Sequence, residues 1–290
     1  MTLNLGLAVA LACALFTQLG FLCKHRGANH VPQVSFQRPL RSARALFTTK
    51  WFVIGIVVGF GAWALHVVAL ALAPLSTVQA VLSTGVVMLA VLGNRVFGFK
   101  IPRRQWAGVA MTAGGLMLLM VTLPHAATEA HRVAVPALLA FEGGMLAMGA
   151  LLILVPRLGA PAHHHGAVLG AAAGTLFGVS DVAVKALTQA AAAGPVAVVA
   201  SPWLLIAIIA SVLAFLASAR GFQQGDAVPV IACTSTAANV TCILGGILVF
   251  GDALAGGVML LAQLAAFALV AAAALLTPAG HGRVAATAAT

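Results

Sequence analysis

The stretch H163-H-H-G-A-V-L-G-A-A-A-G-T-L-F-G-V-S-D-V-A-V-K-A-L187 decides how this chain is built. Glycine recurs in it at every fourth position, and the same helical face then continues to Asp181 and Lys185. In a bilayer, small residues at this spacing let a second helix approach closely, because apolar side chains gain little by leaving lipid. We therefore predict that this helix packs through its glycines, which are Gly166, Gly170, Gly174 and Gly178.

The two charged residues that end this face are candidates for a functional site. A carboxylate near the middle of a membrane span costs roughly 2.5–3.5 kcal/mol on insertion scales, so it is normally found facing a protein interior or a water-filled path. Asp181 is accordingly expected to contact a substrate or to take up a proton. Lys185 follows at i+4, the favourable order for a helical ion pair, and it can instead reach the interface and neutralise Asp181 as a structural pair. Both interpretations stay open at this stage.

The composition predicts a membrane protein. Of the 290 residues, 62% are hydrophobic and 7% are charged, whereas soluble domains carry about 25% charged residues. The formal net charge of +10 does not indicate a nucleic-acid partner, because the basic residues lie in short clusters between apolar segments without a nucleic-acid motif. No P-loop and no nucleophile–base pair is present in the sequence, so we expect neither an enzyme nor a bound cofactor.

The apolar segments predict an all-α polytopic integral membrane protein with about nine transmembrane helices of roughly 20 residues each. The basic segment 24–50 contains no acidic residue and is therefore predicted to be cytoplasmic. A multi-pass protein of the cell membrane follows, with its N-terminus outside and its C-terminus cytoplasmic. Every lysine and arginine except Arg132 and Lys185 then lies on the cytoplasmic side. The predicted spans are about 3–23, 51–72, 74–98, 105–123, 134–155, 166–187, 202–219, 228–250 and 253–277.

Segments recur in the same order along the chain, which indicates an internal repeat. The segment 16–24 resembles 177–185, Trp51 corresponds to Trp203, and R95-V-F-G98 corresponds to L248-V-F-G251. One additional span between the units makes their orientations opposite, an arrangement that is typical of secondary transporters with a site near the membrane midplane. We predict two inverted four-helix repeats joined by one linking helix. The predicted domains are 1–123, the linking segment 124–165, 166–277 and a flexible tail 278–290.

Several stretches resemble a known family. They are A73-P-L-S-T-V-Q-A-V81, R104-Q-W-A-G-V-A-M-T-A-G-G115, F222-Q-Q-G-D-A-V-P-V230 and V249-F-G-D252, and they are similar to repeats of the drug/metabolite transporter (DMT) superfamily with its EamA-like members. The first repeat also resembles the four-span repeat of the NIPA-like magnesium transporters. This resemblance implies a solute transporter. In the turn where the family carries a Gly-Glu pair, the second repeat has Gly251-Asp252 and the first has Gly98-Phe99-Lys100, so no acidic residue is carried over to the first turn.

Other polar residues within the predicted spans are further candidates. Glu142 has no charged residue at i±3 or i±4, which suits a role in proton coupling, although a glutamate near the outer interface can also simply reach water. Polar residues at equivalent parts of the two repeats can coordinate a solute or hold helices together by hydrogen bonds. They are Gln79 and Thr84 in the third span and Thr236 and Asn239 in the eighth.

Two further motifs are interpreted as structural. We expect Gly55-x-x-x-Gly59 to serve helix packing. The tract 163–165 of three histidines resembles a metal-binding tract, but no acid or cysteine lies near it in the sequence, so a solvated loop is the better interpretation and no metal site is predicted.

The leading hypothesis is a secondary transporter that moves a small solute by alternating access, with proton coupling as one version. A magnesium transporter of the NIPA type is the first alternative, since Mg²⁺ favours carboxylates and Glu142 and Asp181 both lie within predicted spans. A membrane interaction protein without transport is the second. The solute, the direction of transport, the coupling ion and the oligomeric state stay open, a homodimer being one option.

Overall fold

The computed structural model describes residues 2–72, 81–82, 84–98, 101–122, 135–191, 194–250 and 257–276. All the regular structure in these ranges is helical, as expected of a chain whose backbone polar groups must bond internally when lipid surrounds them. The all-α prediction is confirmed for these residues. In chain order the helices are α1 (Thr2–Ala28), α2 (Pro39–Phe47), α3 (Lys50–Leu72), α4 (Gly85–Arg95), α5 (Arg103–Thr122), α6 (Val135–Leu154), α7 (His165–Ala191), α8 (Pro195–Val199), α9 (Pro202–Gln224), α10 (Ala227–Val249) and α11 (Val258–Leu276).

The described ranges contain five helical stretches that are long and apolar enough to cross a membrane. A sixth is present if α2 is counted together with the stretch Lys50–Leu65, from which it is bent by 91°. The predicted count of nine spans and the inverted repeats stay predictions. The five stretches are Leu5–Ala28, Val135–Leu158, Ala162–Leu187, Pro202–Gln224 and Ala227–Val249.

The predicted loop 24–50 is partly helical. Helix α1 continues to Ala28, and α2 begins at Pro39, whose fixed φ favours the first turn of a helix. Helix α2 is short, and short helices are stabilised mainly by tertiary packing, which a sequence pattern does not reveal. Leu46 of α2 is fully buried, and the Phe47 ring stacks on Phe215 of α9 with centroids 6.2 Å apart.

One hydrophobic core joins the helices of the two halves of the chain. Its buried side chains come from α1, α2, α3, α4, α5, α9 and α10, so residues far apart in sequence are brought into a single bundle. The largest of them are Leu22, Leu46, Phe52, Leu89, Phe222 and Ile231. This core does not include a separate buried cluster that is formed by α6, α7 and α10.

The glycine face of α7 lies directly against α10. A Cβ atom added at Gly170 would be 2.6 Å from the Val230 carbonyl oxygen, and one added at Gly178 would be 2.5 Å from the Thr241 Cβ. Added Cβ atoms at Gly166 and Gly174 would collide with Gly225 and with the Thr234 carbonyl oxygen respectively. Because the partners advance together along both helices, α7 and α10 run parallel at a separation that admits only glycine.

The pair Gly55 and Gly59 lies between α1 and α3. A Cβ added at Gly55 would be 2.7 Å from the Gly20 carbonyl oxygen, so this position is closely packed. A Cβ added at Gly59 would meet nothing within 4 Å, although Gly59 itself accommodates Gly20, whose added Cβ would be 3.4 Å from the Gly59 nitrogen. Of the two, Gly55 is the position where a side chain would force the helices apart.

Gln223 of α9 joins the segment after α1 to the second half of the chain. Its Oε1 accepts a hydrogen bond from the Val34 backbone nitrogen at 2.8 Å, and its Nε2 donates to the Ala28 carbonyl at 2.9 Å. Weaker contacts from the same Nε2 reach the carbonyls of Val31 and Pro32. One side chain therefore satisfies several backbone groups of a segment that has no regular structure of its own.

Replacing Gln223 with alanine is expected to lower the free energy of unfolding by about 1–3 kcal/mol, because the backbone groups of Ala28 and Val34 would lose their partner. Chemical denaturation of the purified protein in detergent measures this change. The exposed Gln37 serves as the matched control, and Gln37→Ala is expected to change stability little. Equal effects of the two substitutions would contradict a joining role for Gln223.

Candidate functional site

Glu142 is the most deeply buried acidic side chain in the described residues. It lies seven residues into α6, about 10 Å along the helix axis from Val135, on the buried face that also carries Leu138 and Gly149. Its side chain is 1% exposed, and neither carboxylate oxygen has a hydrogen-bond partner within the described part of the chain. Buried polar atoms are normally paired, so two orphaned oxygens on one carboxyl group require an explanation.

The surroundings of Glu142 are apolar. Leu138 and Phe141, on the same face of α6, pack with Val182 and Ala186 of α7 in one buried cluster, and Met145 contacts it from the next turn. Further along α6, a Cβ added at Gly149 would be 2.7 Å from the Leu176 side chain of α7. Glu142 therefore lies on the face of α6 that packs against α7.

Asp181 lies at a similar level along the helix axes to Glu142. A Cβ added at Gly245 of α10 would be 2.5 Å from the Val182 side chain and 3.3 Å from the Phe141 ring, so these three residues meet. Asp181 precedes Val182 and Glu142 follows Phe141 in the sequence. The fold thus brings the two acids that the sequence predicts as site residues to one level of the α6–α7–α10 unit.

The polar contacts of Asp181 and Lys185 lie toward α10. The Cys242 thiol donates to Asp181 Oδ2 at 3.7 Å, and Lys185 Nζ lies 4.0 Å from the centroid of the Phe250 ring. The Cys242 thiol is within electrostatic range of both charged groups. Unlike Glu142, Asp181 and Lys185 have accessible side chains.

The polar residues predicted in the third and eighth spans form their hydrogen bonds largely within their own helices. Asn239 Nδ2 donates to the Ser235 carbonyl at 2.8 Å, and Thr84 Oγ1 donates to the Val81 carbonyl at 2.6 Å. Thr236 is half-buried, and Gln79 lies outside the described residues. These contacts do not bring Thr84 together with Thr236 or Asn239.

Sequence reasoning missed several polar contacts between helices. Ser180 Oγ lies 2.8 Å from Ser211 Oγ and so links α7 to α9, and the fully buried Gln263 of α11 donates to the Thr122 carbonyl of α5 at 2.9 Å. The Cys242 thiol, which donates to Asp181, belongs to the same group of contacts. The signal that was available for each is a lone polar side chain inside an otherwise apolar span.

The histidine tract forms the end of a short 3-10 turn, Ala162–His164, and the start of α7 at His165. Nε2 of His165 contacts the Ala160 carbonyl at 2.7 Å, so this nitrogen carries the hydrogen. The part of the chain that the structure describes contains no group of three or more His, Cys, Asp or Glu residues that could hold a metal ion.

Comparisons with known proteins give two distant relatives. No family model matches the chain, and no solved structure matches it. The chain is 29% identical over 188 residues to an uncharacterized protein of Corynebacterium glutamicum, a match that covers 63% of this chain and 62% of that protein. It is 24% identical over 262 residues to the probable magnesium transporter NIPA9 of Arabidopsis thaliana, a match that covers 86% of this chain and 74% of that protein.

The apolar helices and the similarity to a magnesium transporter together suggest a membrane transporter. The predicted resemblance to NIPA-like proteins thus has a counterpart among known sequences. The wider assignment to the DMT superfamily stays a prediction, since no family model matches.

Proposed function

We propose that this protein is a secondary transporter in which Glu142 binds the coupling proton while a small solute crosses the membrane by alternating access. The observation that carries the proposal is the buried carboxyl group with two unpartnered oxygens. An ionised carboxylate in such a place is costly unless a proton or a cation compensates it. A group of this kind is expected to take up and release its counter-charge as part of the transport cycle.

The neighbours of Glu142 favour a proton over a hydrated metal ion. Leu138, Phe141 and Met145, its near neighbours on α6, belong to an apolar cluster, whereas Mg²⁺ needs oxygen ligands in octahedral geometry and retains several waters. A proton requires only the carboxyl group itself. Asp181, which is accessible and held by Cys242 at the same depth, is proposed to contact the solute or its water shell.

The packing of the helices supports an arrangement in two halves. Helix α1 packs along α3 as α7 packs along α9, and these pairs are the first two spans of each proposed repeat. The last proposed spans of the two repeats, α5 and α11, pack against each other, with Gln263 bonded to the Thr122 carbonyl. We propose that inverted halves rock about this contact, with the cell membrane as the location.

Magnesium transport is the second candidate, and the similarity to NIPA9 over 86% of this chain favours it. In that case Glu142 and Asp181, which lie at one depth, would supply carboxylate oxygens to an ion that keeps part of its water shell. The two candidates differ in which of the acids, Glu142 and Asp181, transport requires. Magnesium entry should need both, whereas proton coupling should need Glu142 above all.

The test is magnesium entry into proteoliposomes that contain an internal magnesium indicator. Wild-type protein is compared with Glu142→Gln and Asp181→Asn, and antibody access to each terminus verifies insertion. We expect no entry above empty liposomes. Entry that requires the protein and is lost in either variant would replace the proton-coupled proposal with magnesium transport.

A further inference from the structure

A basic cavity lies at the end of the bundle where α7 begins and α9 ends. Its volume is about 390 Å³, and its lining comes mainly from the segment 33–36, the 3-10 turn Val155–Leu158 that follows α6, the first turn of α7 and the last turn of α9. The side chains that give it its character are Arg157, His165, Arg220 and Gln224. It lies beyond the end of α6 that is far from Glu142 and at the end of α7 that is far from Asp181.

The positive charge of the two arginines is not balanced by any acidic residue in the cavity lining. Arg157 and Arg220 lie close enough to repel each other, and no carboxylate is among the lining residues. Arg220 Nη1 is buried and has no hydrogen-bond partner among the described residues. A buried guanidinium nitrogen without an acceptor is costly, so Arg220, with the exposed Arg157 beside it, indicates a place for an anion.

Specific hydrogen bonds hold parts of the cavity wall in place. Gln223, adjacent to Gln224, fixes the wall segment through the Val34 backbone nitrogen. His165 is oriented by its bond to the Ala160 carbonyl, which leaves Nδ1 as the ring atom available to an acid group. These bonds fix the backbone of the segment 33–36 and the His165 ring beside the two arginines.

We infer that this cavity binds a phosphate group, carried either by the headgroup of an anionic lipid or by a free phosphate or phosphate ester. Guanidinium groups match phosphate oxygens in paired hydrogen bonds, and two of them can bind one tetrahedral anion from two sides. The volume holds a phosphate with a small attached group. The charge distribution of the loops predicts that the cavity opens to the cytoplasmic side, where anionic headgroups and phosphate esters are both available.

The inference is tested by ligand-dependent thermal stability of the full-length protein. The probes are inorganic phosphate and glycerol 3-phosphate in neutral detergent, and nanodiscs of phosphatidylcholine with or without phosphatidylglycerol. A ligand that binds only the folded protein raises the melting temperature in a concentration-dependent way. We expect such a rise with at least one probe, and an apparent affinity about tenfold weaker in Arg220→Gln.

Variants separate this site from general charge effects. Arg103→Gln removes the same charge from an exposed position outside the cavity and is expected to behave as the wild type. Arg157→Gln, at an exposed side chain, is the second cavity variant if Arg220→Gln does not fold. A response to phosphatidylglycerol alone assigns a lipid headgroup, and a response to the soluble probes assigns a free phosphate. No response to any probe, or equal responses in all variants, would overturn the inference.

Discussion

Replacing Glu142 with leucine is expected to raise the stability of the protein and to abolish its transport. Both carboxylate oxygens of Glu142 are buried without partners among the described residues, and the same side of α6 carries the apolar cluster of Leu138, Phe141 and Met145. Leucine is of similar volume and has no polar atoms to desolvate. The free energy of unfolding should therefore increase by about 1–3 kcal/mol, the usual cost of a buried unsatisfied polar group.

The measurement is the melting temperature of the purified variant in detergent, beside its activity in proteoliposomes. Leu139→Met, on an exposed side of the same helical turn, is the matched control and should change neither quantity. Glu142→Gln should lose proton coupling with a smaller gain in stability, because the amide still has to be desolvated. A variant Glu142→Leu that is less stable than the wild type would show that Glu142 is a structural residue with a partner, and would contradict its proposed role.

Replacing Gly174 with valine is expected to separate α7 from α10 and to destabilise the bundle severely. The first atom of any side chain at this position collides with the Thr234 carbonyl oxygen and lies 2.8 Å from the Ala237 Cβ. Over-packing costs about 1–3 kcal/mol when flexible side chains can move aside, and here the obstacle is backbone. The loss should therefore lie at or above the upper end of that range.

Size-exclusion chromatography and thermal denaturation of the detergent-solubilised variant measure the effect of Gly174→Val. Gly144 of α6 is the matched control, because a Cβ added there meets nothing within 4 Å. Gly144→Val changes the same residue type within a helix and should retain nearly normal stability. If the two variants were equally stable, the close approach of α7 and α10 would not hold the bundle together.

The sequence predicted the elements whose signal is local. The glycine spacing from Gly166 to Gly178 predicts one packed helical face, and such a face is determined by periodicity alone. The segment Pro39–Phe47 was missed as a helix because its stability comes from Leu46 and Phe47 packing on distant residues. These nine residues carry local helix signals, namely a proline in the first turn and an amphipathic pattern, but they do not show what the apolar face packs against.

The candidate site was only partly predictable for the same reason. Glu142 and Asp181 stand out in sequence as acids within apolar spans, but their common depth depends on how α6 packs beside α10 at Gly245. The pairing of Asp181 with Cys242 requires two helices to run parallel in one register. Arg157 and Arg220 were interpreted only as markers of membrane topology, and the cavity that they share is a property of the assembled bundle.

The most direct test of the proposed function is proton movement driven by a solute. Proteoliposomes containing a trapped pH-sensitive dye are exposed to a panel of small solutes, including amino acids, sugars, polyamines and organic acids. The account predicts that at least one solute changes the internal pH with the wild-type protein and none does with Glu142→Gln. A solute that moves protons equally well through wild type and Glu142→Gln would contradict it.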